Sequence, residues 1–191
     1  MTDKTTREDI IAAADALFYE QGFERTSFSH IANAVKISRG NFYYHFKTKD
    51  EILDTVIRTR LIKTQMLLEQ WEAKGKKPVD RILSFIQILS VNQSKIMQHG
   101  CPVGTLCSEL AKLNHDSLEQ ANLLFTLFRT WLRKQFTLLG HKADADALAM
   151  HLLAQSQGVA TLANTFQDEK FIKHEVKQMS TWVKSLVSTV E

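Results

Sequence analysis

The sequence predicts an all-α protein of about nine helices, a small three-helix domain at the N-terminus followed by a larger helical one. Three observations predict it. Helix breakers are scarce, two prolines and seven glycines in 191 residues. Leu, Ala, Lys and Gln, all good helix formers, are frequent, and long β-branched runs are absent. Between the breakers, apolar residues recur at three- and four-residue intervals, the spacing of one helix face.

Each element then takes its place. Thr6 is positioned to cap the first helix, with acidic residues in its first turn. Ile10, Ala14, Leu17 and Phe18 form its apolar stripe. Gly22 stands where a left-handed C-terminal cap belongs, and Phe23 follows as its hydrophobic contact. Ser27 opens a short second helix carrying Ile31, Ala32, Ala34 and Val35. Lys36 and Ile37 make a tight turn, and Ser38 opens a third short helix with Phe42 and Phe46 one turn apart. Thr48 and Glu51 have the spacing of a capping box, so a fourth helix starts there and runs to about Lys74 with Ile52, Leu53, Val56, Ile57 and Leu61 inward. That start places the domain boundary between residues 48 and 49, dividing the chain into 1–48 and 49–191.

Gly75 and Pro78 punctuate the chain, and Pro78 suits the first position of a helix. The helix it opens, to about Gln98, is apolar on most sides and therefore buried. Gly100 ends it, and Pro102 opens a short helix with Leu106 and Leu110. Asp116 and Glu119 open a long one bearing Leu124, Phe125, Phe128, Trp131, Leu132 and Phe136, closed by Gly140. Two more helices, from about Asp144 to Phe166 and from about Asp168 to Val190, complete the chain.

Composition excludes several classes. Hydrophobic residues at 44% and charged residues at 24% are ordinary for a globular protein with a real core. No apolar run reaches the length of a bilayer span, and none at the start resembles a signal peptide. A cytoplasmic location and no membrane partner are expected. Two cysteines, Cys101 and Cys107, do not make a disulfide framework.

The net charge of +3 decides nothing, but its distribution does. From Arg25 to Lys49 there are five cations (Arg25, Lys36, Arg39, Lys47, Lys49) and no Asp or Glu, whereas the preceding 24 residues hold six acids and two cations. An acid-free basic segment is the footprint of a phosphate-binding face. The second and third helices with their two-residue turn match the helix-turn-helix plan. With Phe42 and Phe46 turned to the core, Arg39, Gly40, Asn41, Tyr43, Tyr44 and His45 fall on or near the outer face. Arg39 can bond guanine O6 and N7, and Asn41 can read a base edge. Tyrosine hydroxyls and Lys49 can bond phosphates, and Gly40 permits close backbone approach. A plain solvated face is the competing reading, which two adjacent tyrosines on a cationic helix disfavour.

The run Gly22-Phe23-Glu24-Arg25-Thr26-Ser27, then Ile31-Ala32, then Ile37-Ser38-Arg39-Gly40-Asn41-Phe42-Tyr43-Tyr44-His45-Phe46-Lys47-Thr48-Lys49, resembles the signature of the TetR family. The resemblance implies a helix-turn-helix DNA-binding domain and a larger ligand-binding and dimerisation domain. It implies a homodimer on palindromic double-stranded operator DNA, released when a small-molecule inducer enters the larger domain, and it implies no cofactor. It places Thr26, Ser27, Tyr43, His45 and Lys49 where the family contacts the DNA backbone. It places Ser38, Arg39, Gly40, Asn41 and Tyr44 near bases or their flanking phosphates. Two positions depart from the family pattern. Lys36 stands where the turn usually has Gly; in a left-handed conformation this costs on the order of 1 kcal/mol, which approach of its charge to phosphate can offset. His30 stands where an acid usually completes the cap of the second helix, a task for which neutral His is poor.

The segment from Gly100 to Leu110, with Cys101, Pro102, Leu106 and Glu109, resembles an element of one subgroup of that family, some of whose members respond to electrophiles, oxidants or unsaturated small acids. With Pro102 as the first helical residue, Cys101 is the N-cap, where the helix end favours thiolate. Cys101 is then a sensing thiol or a small apolar residue closing a helix junction. His99, Cys101, Cys107 and His115 are ligand types for zinc or copper, but their spacing fits no finger pattern, and no metal is expected. Phe125, Phe128 and Trp131 are candidate pocket residues or plain core, with Gln155 as a candidate polar contact. Gly158, Val159, Leu162 and Phe166, with Ile172, Val176, Met179, Val183, Leu186 and Val190, form the candidate dimer seam or the chain's own packing. A repressor released by a ligand or by thiol modification is the leading expectation, and no enzyme. A thiol-dependent enzyme or redox protein acting through Cys101 is the alternative, and a helical carrier a third.

Overall fold

The computed structural model describes residues 3–187, with side chains from residue 6 onward. Among these residues every regular element is helical: α1 (Asp3–Gln21), α2 (Phe28–Ala34), α3 (Arg39–His45), α4 (Lys49–Lys74), α5 (Pro78–Val91), α6 (Gln93–His99), α7 (Pro102–Lys112), α8 (Leu118–Leu138), α9 (Ala145–Phe166) and α10 (Glu169–Ser185). The all-α expectation holds. Two details differ. Thr6 lies inside α1, which begins at Asp3, so it is not the cap. The helix expected from Pro78 to about Gln98 is divided at Asn92, whose side-chain amide donates to the Ile88 carbonyl at 3.0 Å. Asn competes for backbone groups in this way, and a continuous apolar pattern conceals it. Val190 lies outside the described residues.

The chain divides into two compact units. The first comprises the residues up to Ile62 together with Pro102–Leu123. It thus runs past Thr48, because Ile52, Leu53, Val56 and Ile57 in the first turns of α4 are fully buried. Its core also takes Ile10, Ala14, Phe18, Phe23, Ile31, Phe42, Phe46, Leu106 and Leu110. Arg60 of α4 is the polar rivet of this unit. Its Nε donates to Asp15 Oδ1 at 2.6 Å and its Nη1 to the Pro102 carbonyl at 2.7 Å, tying α4 to α1 and to the first residue of α7.

The second unit comprises Lys63–Cys101 and the chain from Leu124 onward. Here α10 packs on α5 and α9, and α6 on α9. Its core is a single cluster that includes Ile82, Phe85, Ile86, Leu89, Leu132, Phe136, Ala149 and Leu152. One polar chain crosses it. Buried Gln135 of α8 donates to Glu72 at 3.3 Å and accepts from Arg81 Nη1 at 3.3 Å, while Arg81 Nε donates to the Gly75 carbonyl at 2.9 Å. The Lys134 ammonium, 2.8 Å from the Glu72 carboxylate, holds that carboxyl below the usual glutamate range against the opposing pull of desolvation. The end of α4 is thereby fastened to α5 and α8.

Candidate nucleic-acid interface

The interface is assembled from two short helices and the turns that orient them. Ser27 caps α2: its hydroxyl accepts from the His30 amide at 3.2 Å. His30 Nδ1 accepts in return from the Ser27 amide at 3.4 Å, so the box that His was expected to complete poorly is closed, with a long second bond. After α2 the chain makes a Schellman turn. The Ile37 amide donates to the Ala32 carbonyl at 3.1 Å and the Lys36 amide to the Asn33 carbonyl at 3.2 Å. Lys36 takes φ +56°, so the left-handed conformation considered for it is present. Ser38 then caps α3 by accepting from the Asn41 amide at 3.3 Å.

This geometry sorts the expected contact residues. Ser27, Lys36, Ser38, Arg39, Gly40 and Asn41 are exposed, and Tyr43 and Tyr44 are 46% and 68% exposed despite their size. His45 is half-buried, edge-on to Tyr44. Phe42 and Phe46 close the core behind them. A side chain on Gly40 would meet nothing within 4 Å, so the fold itself does not require glycine there. A helical Gly costs about 1 kcal/mol relative to Ala, which close approach of another molecule would justify.

Thr26 and Lys49 are placed differently from the expectation that they touch phosphate. Thr26 is 1% exposed; its hydroxyl donates to the Gly22 carbonyl at 2.7 Å and accepts from Gln21. Lys49 donates to the carbonyls of Phe23 and Glu24 at 3.1 and 3.3 Å and sits over the Phe23 ring. Both residues prop the turn before α2 by donating to its carbonyls. The same turn is held from its other side by Glu109 of α7, which sequence reasoning left without a role. Its carboxylate accepts from the amides of Phe23 and Glu24, each at 2.9 Å. Gly22, at φ +91°, leaves the room: a Cβ there would come within 2.9 Å of Glu109.

Residues 10–56 match the family described as bacterial regulatory proteins, tetR family. The segment is similar in sequence to TetR-type DNA-binding domains. The likeness extends along the chain. An HTH-type transcriptional regulator from the lacX 3′ region of Lactococcus lactis subsp. lactis is 28% identical over 182 residues, covering 93% of each chain. The HTH-type transcriptional repressor NemR of Escherichia coli is 28% identical over 120 residues, 60% of this chain and 59% of its own. A TetR transcriptional regulator from Legionella pneumophila superposes with a TM-score of 0.81 at 25% identity, covering 91% of this chain and 95% of that one.

In the second unit, Phe128 and Trp131 are buried and Phe125 half-buried in the cluster, with Phe128 5.6 Å from Phe85. Gln155 is half-buried, and its carbonyl oxygen is buried without a hydrogen-bond partner among the described residues. Cys101 precedes the first residue of α7, as expected, and is half-buried against the cluster; Cys107 is buried. Among the described residues, no three His, Cys, Asp or Glu side chains come together as metal ligands. His115 instead faces Asp50 at 3.4 Å and the Phe23 ring. No described helix is long and apolar enough to cross a membrane.

The expected dimer residues require a correction. Ile172, Val176, Met179 and Val183 are 0 to 6% exposed within the single chain, and Leu186 packs against the same cluster. The α10 stripe therefore faces the chain's own core, and Val159 does likewise. Gly158, Leu162 and Phe166 of α9 are exposed. A stripe looks the same in sequence whether it packs within a chain or between chains.

Proposed function

We propose that this protein is a homodimeric repressor that holds a palindromic operator through α3 and leaves it when a small molecule, or modification of Cys101, alters its larger domain. The observation that carries the reading is the exposed set Ser38, Arg39, Gly40, Asn41 and Tyr44 on an acid-free helix fixed by capped ends. Arg39 supplies a guanine-reading fork, Asn41 an amide for a base edge, and Ser27, Lys36 and Tyr43 the phosphate contacts. His45 lies beside them. Residues 1–48 do the reading and residues 49–191 the sensing and pairing. The protein acts in the cytoplasm, where its DNA is.

The unpartnered Gln155 carbonyl is an acceptor for an inducer donor, and Phe125, Phe128 and Trp131 are the aromatic candidates for its apolar part. The Gly100–Leu110 element, which resembles that of a subgroup some of whose members respond to electrophiles or oxidants, supports the thiol half of this reading. For the dimer, α9 offers the seam. Its exposed positions include Met150, Ala154, Gly158, Leu162 and Phe166, with Asp146 at the start of the same stripe paired to Arg129.

Selection from random duplexes tests the reading. The full-length protein should enrich an inverted repeat, and binding should fall steeply with salt. Arg39→Ala should erode the preference for the selected site by roughly tenfold or more. Enrichment of no duplex, or an Arg39→Ala protein as selective as the parent, would end it. A thiol-specific electrophile should lower operator affinity of the parent and not of Cys101→Ser; equal effects on both would remove Cys101 from the mechanism.

A further inference from the structure

The basic face carries a feature beyond its phosphate contacts. A shallow slot opens between α2 and α3, lined by Phe28, Ser29, Ala32, Arg39, Phe42 and Tyr43. Its floor is apolar and buried, with Ala32 and Phe42 at 4% and 1% exposure. Two aromatic rings form its wall: Phe28 and Tyr43 stand at 89° with centroids 5.4 Å apart, and Phe28 lies 5.1 Å from Phe42. Arg39 forms the rim, its Nη2 donating to Ser29 Oγ at 3.3 Å. A guanidinium and an apolar recess therefore sit side by side on a surface that contains no acid from Arg25 to Lys49.

We propose that this slot is a thymine-methyl site, filled by the 5-methyl group of a thymine adjacent to the guanine that Arg39 reads. The inference rests on the DNA-binding reading above and adds a base to it. Thymine is the only base that presents an apolar group in the major groove; cytosine presents an N4 amino donor near the same place. The slot offers that methyl group the Phe28 and Tyr43 rings and the Ala32 methyl, while a cytosine amine facing them loses water without gaining an acceptor. Ser29 takes one donor of Arg39 and leaves the others for guanine O6 and N7, so the tether orients the guanidinium without consuming it. The half-site then contains thymine next to guanine, and Phe28 and Tyr43 join Arg39 as determinants of sequence preference.

The test uses the full-length dimer and a duplex obtained by selection. Each thymine is replaced singly by deoxyuridine, which removes the methyl group and leaves base pairing intact. One thymine per half-site, neighbouring a guanine whose substitution also weakens binding, should lose about fourfold in affinity on replacement, the value of one buried methyl. Phe28→Ala should bind the parent duplex more weakly and should no longer distinguish thymine from deoxyuridine there. A second measurement needs no variant: 5-iododeoxyuridine at that position, irradiated in the complex with the parent protein, should cross-link to Phe28 or Tyr43. If no thymine shows a methyl dependence, if Phe28→Ala retains it, or if the cross-link falls elsewhere, the slot has another occupant and the proposal fails while operator binding stands. Failure to select any duplex would instead overturn the DNA-binding reading and this proposal together.

Discussion

Lys36 occupies a left-handed turn, φ +56°, at the residue after the α2 cap, where a side chain is strained by its own Cβ. The Schellman bonds around it are intact, so the strain is tolerated and not relieved. Such a cost is retained where the side chain does something, and an exposed ammonium beside α3 is suited to a phosphate. Lys36→Gly should therefore stabilise the fold by about 1 kcal/mol, seen as a higher denaturation midpoint. The same variant should weaken all duplexes alike and lower the salt slope of binding by about one. A more stable protein with an unchanged slope would mean that Lys36 touches no phosphate. Gly40 follows the same logic in reverse, a residue without a side chain where the fold would accept one. Both positions are legible in sequence as departures or as breakers; that the turn is left-handed and that Gly40 has open space above it are facts of the backbone path.

At the scale of elements, α7 is fastened to the helices before it at two points. Its first residue, Pro102, accepts from Arg60, and Glu109 two turns on brackets the two amides before α2. Lys49 holds the carbonyls of those same two residues, so one peptide turn is gripped on its donor side by α7 and on its acceptor side by α4. Hydrogen bonds to a carboxylate contribute about 1.5–3 kcal/mol. Glu109→Gln leaves only one acceptor oxygen for two amides and turns an N–H donor toward the other. Hydrogen exchange at Phe23 and Glu24 should then accelerate at least tenfold, and operator affinity should fall with the sequence preference kept. Unchanged exchange at those amides would show that the bracket does not hold the turn. α7 begins directly after Cys101.

At the scale of the whole molecule, pairing depends on which faces the tertiary packing leaves open. Phe166 at 70% exposure and Leu162 at 43% stand toward the C-terminal end of α9, where its exposed positions carry no charge, while the apolar side of α10 is spent inside the chain and its exposed side carries Lys170, Lys173, Lys177 and Lys184. The double substitution Leu162→Glu, Phe166→Glu should convert the dimer to monomer in sedimentation. It should abolish binding to the palindrome beyond that of a half-site, and should leave the melting of the monomer nearly unchanged since neither residue is in the core. A dimer that persists would place the seam elsewhere.

Residue type and spacing determined the helical class, the caps at Ser27, Ser38 and Thr48, and the identity of the basic face, because these depend on neighbours within a few residues. Tertiary structure alone decided that Thr26 and Lys49 support the interface from behind, that Glu109 reaches the α1–α2 turn across 85 residues or more of chain, and that the α10 stripe is core. The physical reason is common to all three. A donor, an acceptor or an apolar stripe announces a need for a partner, and only the folded path says which partner satisfies it.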